Sequence, residues 1–390
     1  MNLYIIAGEP SGDRLGGAMM RALSQMRDVD FRGVGGMEMT AAGLTSRFDM
    51  SELTVMGISE VLPKLPVLLR RIRETAEDVI ATRPDALITI DSPDFTLRVA
   101  KRAKASLPDL KVIHYVAPSV WAWRPGRAAK MARHVDHVLA LLPFEPPYMQ
   151  AAGMTCDFVG HPVAAEPQPD VDEIASWRAA RGMAPGQPTL LLAPGSRRGE
   201  VRRLGGDFMA TVQRLRADLP DLAVICPVAE TVVAEVQELL APLVPPVLIV
   251  QPGDPAQKRL AFAAADAALC ASGTVTLELA ATGTPMVAAY RTTWLTSQIV
   301  RRVIRVDTAN LVNLVSGEKV VPEFLQEYCT VNALHGACLP LLQRDNHSGA
   351  AQRAVFEQVM TTLGRGGPSP AERAARSTLG ALKTVSTSGN

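Results

Sequence analysis

The sequence has 390 residues, of which 47% are hydrophobic and 20% charged, and its formal net charge is only +1. These values are typical of a globular protein with a large core, and the length favours two domains. The near-neutral charge argues against a nucleic-acid-binding protein, because no broad basic excess is available to neutralise phosphates.

The five cysteines are scattered and form no C-x-x-C motif, which predicts a reduced, cytoplasmic protein without disulfides or a zinc knuckle. The six histidines form no cluster with metal-ligand spacing, so we expect no bound metal and no cofactor. No stretch approaches about 20 uninterrupted apolar residues, and the N-terminus lacks the basic segment of a signal peptide. We therefore expect neither a transmembrane helix nor a secretory signal.

Short runs rich in Val, Ile and Leu alternate with longer helical stretches, which indicates parallel sheets with crossover helices. A polar, proline-rich stretch at residues 166–170 interrupts this rhythm and reads as a linker. The predicted strands before it are 3–7, 31–34, 86–90, 112–116, 135–141 and 155–159. Those after it are 189–193, 223–227, 247–250, 267–270 and 285–289.

Two doubly wound, Rossmann-like α/β domains are the simplest interpretation, and their ligand crevices are expected to face a central cleft. A last helix is predicted to begin near Ser369, with Glu372 as its capping-box partner. The predicted ranges are 1–165 for the first domain, 170–344 for the second, 345–383 for C-terminal helices that can pack back on the first, and 384–390 for a frayed tail.

A glycine-rich turn, residues 8–13 (GEPSGD), follows the first predicted strand, where backbone N–H groups can meet an anion. The glycine spacing does not fit G-x-G-x-x-G, and two acidic side chains would repel a pyrophosphate, so a dinucleotide site is not expected. A tight turn with a Ser/Asp helix cap and a substrate loop both remain open. The residues concerned are Gly8, Glu9, Ser11, Gly12 and Asp13.

The segment 90–95 (IDSPDF) closes another predicted strand. Ser92 suits an N-cap, Pro93 the first helical position, and Asp94 the positive end of a helix dipole. Asp91 has no such explanation and lies where a ligand would bind, so it is a candidate general base toward a sugar hydroxyl. Hydrogen bonding of its carboxylate to neighbouring N–H groups is the alternative.

Residues 114–125 hold two of the four tryptophans and end in Trp123, Arg124 and a proline. Flat aromatic faces suit sugar rings or lipid, and a guanidinium suits a phosphate. Arg127 and Lys130 follow closely, which favours a binding role over an aromatic plug in the core.

Two loops in the second half have the composition of phosphate sites. In 193–200 (APGSRRGE), Ser196 belongs to a turn that frees the backbone, and Arg197 can reach a diphosphate with two hydrogen bonds. In 272–278 (SGTVTLE), small residues leave N–H donors open at a helix start. The residues concerned are Ser272, Gly273, Thr274 and, one helical turn later, Glu278, which could accept hydrogen bonds from both ribose hydroxyls.

Segments 53–73 and 294–306 combine apolar and basic residues, as helices in a membrane interface do. A core helix with a solvated basic edge is the alternative for the first of them. Both segments are compatible with a lipid substrate.

Taken together, these motifs resemble those of the lipid-A-disaccharide synthase family, in the family's order, from residue 7 to about 345. The glycine-rich first loop and the tryptophan motif are the most specific, whereas the second-half motifs occur more widely among glycosyltransferases. The matching segments are 7–13, 55–57, 90–95, 118–124, 142–145, 159–162, 194–197 and 272–274.

The resemblance implies a two-domain B-type glycosyltransferase. It implies transfer of 2,3-diacylglucosamine from UDP to 2,3-diacylglucosamine 1-phosphate (lipid X), with inversion to a β-1,6 link, as a cytoplasmic step of lipid A biosynthesis. It also implies a metal-free enzyme held peripherally on the cytoplasmic face of the inner membrane. The oligomeric state stays open, with a homodimer as one option.

By motif position, Asp91 matches the family's candidate catalytic aspartate, Arg197 its donor-side arginine and Asn313 its essential asparagine. The family usually reads Leu-Pro-Asn-Leu at the last position, whereas this chain reads NLVNL over 310–314, so Asn310 is an alternative.

Other interpretations remain. UDP-N-acetylglucosamine 2-epimerases and the transferase that makes peptidoglycan lipid II are UDP-sugar enzymes of the same fold, although the tryptophan motif and the apolar-basic segment favour a diacyl substrate. A nucleotide-binding protein without catalysis would bind UDP and turn nothing over. A dehydrogenase is disfavoured by the glycine spacing.

Overall fold

A computed structural model of the protein describes residues 1–53, 58–121, 126–292, 308–343 and 347–383, with the backbone alone at 58–64. The chain forms two compact units. The first comprises Met1–Ala165 and the C-terminal segment from Leu363, and the second comprises Glu166–Thr362.

The helices and strands alternate as the sequence predicts. The described strands are β1 (Asn2–Ala7), β2 (Asp30–Val34), β3 (Thr45–Ser46), β4 (Ala86–Ile90), β5 (Lys111–Tyr115), β6 (His137–Ala140), β7 (Thr155–Phe158), β8 (Thr189–Ala193), β9 (Ala223–Pro227), β10 (Leu248–Val250), β11 (Ala267–Ala271), β12 (Met286–Tyr290) and β13 (Glu323–Leu325). The described helices are α1 (Pro10–Met26), α2 (Met37–Ala41), α3 (Ile58–Thr82), α4 (Pro93–Ser106), α5 (Gly126–Met131), α6 (Pro146–Gln150), α7 (Val171–Ala179), α8 (Arg198–Asp218), α9 (Val233–Leu240), α10 (Pro255–Ala263), α11 (Val275–Ala281), α12 (Leu311–Ser316), α13 (Val331–Leu342), α14 (His347–Thr362) and α15 (Pro370–Lys383).

Each unit is built on one parallel sheet. The strand order is β3-β2-β1-β4-β5-β6-β7 in the first and β10-β9-β8-β11-β12-β13 in the second. In both sheets the order reverses once, between β1 and β4 and between β8 and β11, and ligands of such sheets bind beyond the carboxyl ends of the strands at that switch point. The predicted class, two doubly wound α/β domains, is confirmed.

Strand β1 shows how the first sheet is covered on both faces. Leu3 and Ile5 face a core formed with α1 and α15, whereas Tyr4 and Ile6 face a second core formed with α3 and α4. Successive side chains of a strand point to opposite faces, so a strand buried on both reads as one continuous apolar run. The same run is what predicts the strand from sequence.

The edge strands β3 and β13 are absent from the sequence-based prediction. They are two and three residues long, too short for an apolar run to stand out. Sheet pairing with longer neighbours supplies their hydrogen bonds.

The last two helices belong to different units. Helix α14 joins the second, where the Gln352 side chain bonds both the N–H and the carbonyl of Met286. Helix α15 joins the first, where Ser377 bonds His137 and Asp157. Its start carries the predicted reciprocal capping box between the residue before Pro370 and Glu372.

Candidate functional site

Most of the predicted site residues that the structure describes lie at the two switch points, whereas Asn313 lies on α12. The turn at residues 8–13 follows β1 and the turn at 90–95 closes β4, the strands that flank the switch point of the first unit. The loops 193–200 and 272–278 follow β8 and β11, which flank that of the second. Trp123 and Arg124 lie outside the described residues.

The β1–α1 turn holds a mixture of exposed and buried residues. Glu9 and Ser11 are exposed, whereas Gly8 and Gly12 are buried. Neither polar side chain caps α1: the N-cap position belongs to Glu9, whose carboxylate makes no capping bond. Two exposed polar side chains beside closely packed glycines are compatible with the substrate-loop interpretation.

Asp13, which the sequence places in the candidate substrate loop, has a carboxylate with a structural role. It is buried and accepts hydrogen bonds from the N–H groups of Gly36 (2.7 Å), Glu38 (2.9 Å) and Met39 (3.1 Å). It therefore caps α2 from another part of the chain, and an acid placed at a helix N-terminus is stabilised there. No oxygen of this carboxylate needs a substrate to complete its hydrogen bonding.

The β4–α4 turn holds Asp91 in an uncommon backbone conformation. Its φ is +48° and that of Ser92 is +40°, a left-handed region in which each non-glycine residue costs about 1–3 kcal/mol. The backbone is fixed on both sides, since the Asp91 N–H donates to Tyr115 and its carbonyl accepts from the Thr96 hydroxyl. No described residue donates a hydrogen bond to the carboxylate, so none of their backbone N–H groups is the partner that the alternative requires.

Ser92 occupies the predicted N-cap position of α4, with Pro93 first in the helix, but the serine side chain makes no capping bond. Its hydroxyl is buried and has no partner among the described residues. A Cβ on Gly8 would lie 2.8 Å from Ser92, so only glycine allows this approach. The two turns at the switch point of the first unit are thus in direct contact.

An aromatic pair lies beside this edge. Trp121 is buried and its ring meets Phe144 edge to face, with centroids 5.2 Å apart. For this tryptophan the core interpretation is therefore correct. Next to the pair, the buried Glu145 carboxylate accepts from the N–H groups of Leu141 and Leu142. Burial raises the pKa of Glu145 to about 7.

The β8–α8 loop differs from the expectation of a free backbone. Glu200 reaches back so that its carboxylate accepts from the N–H groups of Ser196 (3.1 Å) and Arg197 (3.3 Å). Gly195 allows this, because its φ is +126° and a Cβ there would lie 2.5 Å from Glu200. A carboxylate thus occupies the place predicted for an anion. The Arg197 guanidinium also lies 3.6 Å from the Glu200 carboxylate, but its side chain is 84% exposed, so a ligand can still reach it.

The β11–α11 loop is open by comparison. In the described part of the chain, no acceptor lies within hydrogen-bond distance of the N–H groups of Gly273 and Thr274. Helix α11 has only seven residues. An anion here would therefore be bound by the two N–H groups themselves more than by the dipole of a long helix. Ser272 precedes them, and its hydroxyl donates to Glu323 on β13 at 2.8 Å.

Glu278, which the sequence left without a structural partner, has one. Both carboxylate oxygens lie 2.8 Å from the Lys258 ammonium of α10. Because about a third of the Glu278 side chain stays exposed, the ion pair fixes the carboxylate without closing it off. A carboxylate that is fixed and partly exposed, one helical turn after Thr274, can accept hydrogen bonds from the two hydroxyls of a diol.

Asn313, the predicted essential asparagine, has partners within the second unit. It is buried, and its amide forms two 3.0 Å bonds with the backbone of Val321, donating to the carbonyl and accepting from the N–H. These bonds give it a structural role. The side-chain oxygen of Asn310 caps α12. Its buried side-chain nitrogen has no partner among the described residues.

The described residues lack two kinds of structural feature. They contain no group of three or more His, Cys, Asp or Glu that could hold a metal ion. In the same part of the chain, no helix has the length and hydropathy to cross a bilayer. The second apolar-basic segment, residues 294–306, falls outside it.

Comparisons with known proteins agree with this geometry. The family model described as lipid-A-disaccharide synthetase matches residues 3–377. The chain is 54% identical to the lipid-A-disaccharide synthase of Ruegeria pomeroyi, covering 98% of this chain and 96% of that one. It is 46% identical to that of Rhodospirillum centenum, with 97% and 94% covered.

Solved structures with low identity share the fold. A UDP-GlcNAc 2-epimerase from Neisseria meningitidis, bound to UDP-GlcNAc, superposes with a TM-score of 0.65 at 11% identity, covering 98% of this chain and all of that one. A glycosyltransferase from Rickettsia africae gives a TM-score of 0.59 at 12% identity, with 99% and 98% covered. The match of the family model and the identity to its members, both over nearly the whole chain, settle the assignment: this chain belongs to the lipid-A-disaccharide synthase family.

Proposed function

We propose that the protein transfers 2,3-diacylglucosamine from UDP to the 6-hydroxyl of 2,3-diacylglucosamine 1-phosphate, giving lipid A disaccharide 1-phosphate and UDP. The observation that carries the proposal is the Asp91 carboxylate at the switch point of the first sheet, which has no partner among the described residues. Family membership supplies the class of reaction. The two substrates are those that the resemblance to this family implies.

In the proposed mechanism, Asp91 takes the proton of the acceptor 6-hydroxyl as its oxygen attacks the anomeric carbon of the donor. The bond from that carbon to the diphosphate oxygen breaks on the opposite face, so the configuration inverts. Asp91 suits this role because no described residue pairs with its carboxylate and because its backbone is fixed by bonds to Tyr115 and Thr96. The proton is then held by Asp91, and the negative charge departs on UDP.

The second unit would stabilise that leaving charge. The N–H groups of Gly273 and Thr274 and the exposed guanidinium of Arg197 are the available donors. Fixed donors aimed at developing charge can lower the barrier by several kcal/mol. Glu278 would accept the two ribose hydroxyls of UDP. We propose that these groups suffice without a metal ion.

The direct experiment is product formation from the two diacylglucosamine substrates, in detergent and with excess EDTA. Release of UDP together with disaccharide 1-phosphate supports both the reaction and its independence of metal. Activity that returns only when a divalent cation is added would retain the reaction and refute the metal-free account. Folded protein that binds UDP and forms no disaccharide would refute the proposed function.

Peripheral binding to an anionic membrane is part of the proposal. On α3, Leu65 and Leu69 are 36% and 47% exposed, while Ile72 is buried. Helices α4 and α5 add a basic surface on the same side of the sheet, because all three helices pack on one core. In the described part of the chain, no acid lies within ion-pair distance of the cations of this basic surface. These cations are Arg98, Lys101, Arg102, Arg127 and Lys130.

We propose that this basic surface meets anionic head groups on the cytoplasmic face of the inner membrane, at roughly 1 kcal/mol per cation near the surface. Reversing Lys101 and Arg102 to glutamate is expected to lower co-sedimentation with anionic vesicles at least tenfold. The charge-matched control reverses Arg353 and Arg376, two exposed cations elsewhere. Equal loss in both double variants would show that net charge alone, and not this surface, governs binding.

A further inference from the structure

Strand β13 carries an acid that links two segments of the second unit. One oxygen of the Glu323 carboxylate accepts from the Ser272 hydroxyl at 2.8 Å. The other accepts from the Thr308 hydroxyl at 2.7 Å and from the Ala309 N–H at 3.0 Å. The Glu323 side chain, 51 positions from Ser272 in sequence, thus joins Ser272 to residues 308–309, at the edge where the donor nucleotide is proposed to bind.

The direction of these hydrogen bonds is fixed by chemistry. An ionised carboxylate only accepts, so both hydroxyl protons point at Glu323. A serine hydroxyl has a single proton and two lone pairs. While its proton bonds Glu323, Ser272 cannot donate to a phosphate oxygen, and it offers only lone pairs to a ligand.

The Thr308 hydroxyl continues this series of hydrogen bonds toward α12. Its hydroxyl donates to Glu323 and accepts from the Asn310 N–H at 3.1 Å. Asn310 then caps α12. Removing the carboxylate would therefore disturb the Ser272 loop and the start of α12 together, whereas an isosteric amide would retain the shape and alter only the protons.

We propose that Glu323 is a positioning residue for donor binding, which holds Ser272 as a hydrogen-bond acceptor for an N–H or O–H group of the sugar nucleotide. The phosphate contacts of this loop then fall to backbone N–H groups. This inference rests on the proposed function, because it takes the β11–α11 loop as the donor side. The composition of the loop suggests that Ser272 contacts a phosphate. The inference instead assigns it to a hydrogen-bond donor of the ligand.

The test is a double-mutant cycle with Glu323→Gln and Ser272→Ala. Glutamine can still accept from Thr308 and Ala309, but its amide N–H donates to Ser272, which turns the serine proton outward. We expect each single variant to raise the KM for UDP-2,3-diacylglucosamine about 5–10-fold, the effect of one hydrogen bond. The double variant should be no worse than the poorer single one, because both remove the same contact.

The kcat and the KM for the acceptor should stay within about twofold in all three variants, which a general loss of packing would not allow. Glu318→Gln, an exposed acid nearby, is the matched control and should equal the wild type. Independent, multiplied effects of the two substitutions, or an equal rise in the acceptor KM, would overturn the proposal.

Calorimetric titration of each variant with UDP-2,3-diacylglucosamine, without acceptor, separates this inference from the proposed function. Coupling between Glu323 and Ser272 in donor affinity supports the inference even if no disaccharide forms. Normal donor binding without coupling refutes the inference alone. A wild-type protein that binds neither this donor nor UDP would refute both.

Discussion

Asp91, at the first sheet edge, differs from three acids at the second in how its carboxylate is used. At the first, the Asp91 carboxylate has no described partner and projects from strained backbone. At the second, Glu200 accepts from two N–H groups, Glu278 pairs with Lys258, and Glu323 accepts from two hydroxyls and one N–H. The difference teaches that an acid near a ligand can either react or shape the site. In the proposed mechanism, Asp91 is the acid that takes a proton.

The largest expected effect is at Asp91. Asp91→Asn keeps the size of the side chain and removes the base, so kcat should fall about 10²–10⁴-fold. Steady-state turnover with both substrates measures this. Asp94→Asn is the matched control, because that acid is exposed in the first turn of α4, and it should retain turnover within about threefold. Near-normal turnover of Asp91→Asn would remove the proposed base.

The second effect concerns Glu278. Glu278→Gln removes the Lys258 ion pair and weakens two hydrogen bonds to ribose, so UDP should bind about 10–100-fold more weakly. Calorimetry measures the affinity for UDP. Titration with uridine in parallel should show a comparable loss, because the ribose is common to both. A variant that loses affinity for UDP and not for uridine would place Glu278 near the phosphates instead.

A smaller effect, in the opposite direction, is expected at Glu200. Glu200→Gln retains an acceptor for the N–H groups of Ser196 and Arg197 and removes a negative charge where an anion would approach. UDP should bind about 3–10-fold more tightly, and the gain should shrink as salt rises. Affinities at two salt concentrations measure this. Weaker UDP binding by Glu200→Gln at both salt concentrations would contradict this. It would mean that the Glu200 carboxylate is needed to organise the loop for binding.

The smallest effect is a pH dependence of stability at Glu145. Burial raises its pKa to about 7 from an ordinary 4.5, so the folded protein holds this proton more strongly than the unfolded chain. Stability from this group is therefore lost as pH rises from about 4.5 to 7 and is then constant. Glu145→Gln removes the step, and its melting temperature should exceed that of the wild type by several degrees at pH 8 and by much less at pH 5. An equal difference at both pH values would contradict this.

The sequence predicts where the site lies better than how its parts bond. Apolar runs fix the strands, and parallel strands send their carboxyl ends to one edge, so Asp91 and the loop at 272–278 could be placed there before any coordinates. The Ser369–Glu372 capping box was likewise predictable, because both partners lie within one helical turn.

The remaining contacts join distant parts of the chain. The Asp13 carboxylate caps α2 more than twenty residues away, and Lys258 meets Glu278 between two helices. Hydropathy and local motifs carry no information on such pairs. Asn313 shows the same limit, since its two bonds to Val321 depend on how the following loop returns. Glu323 was missed because β13 is too short to be seen as a strand.

The most direct test of this division of roles compares Asp91→Asn and Glu278→Gln side by side, in turnover and in UDP affinity. We predict a crossed result. Asp91→Asn should lose kcat by at least about a hundredfold with UDP affinity unchanged, and Glu278→Gln should lose UDP affinity with kcat at saturating donor close to the wild type. If both variants lose turnover and UDP affinity alike, the two edges do not divide catalysis and donor binding between them, and the account is wrong.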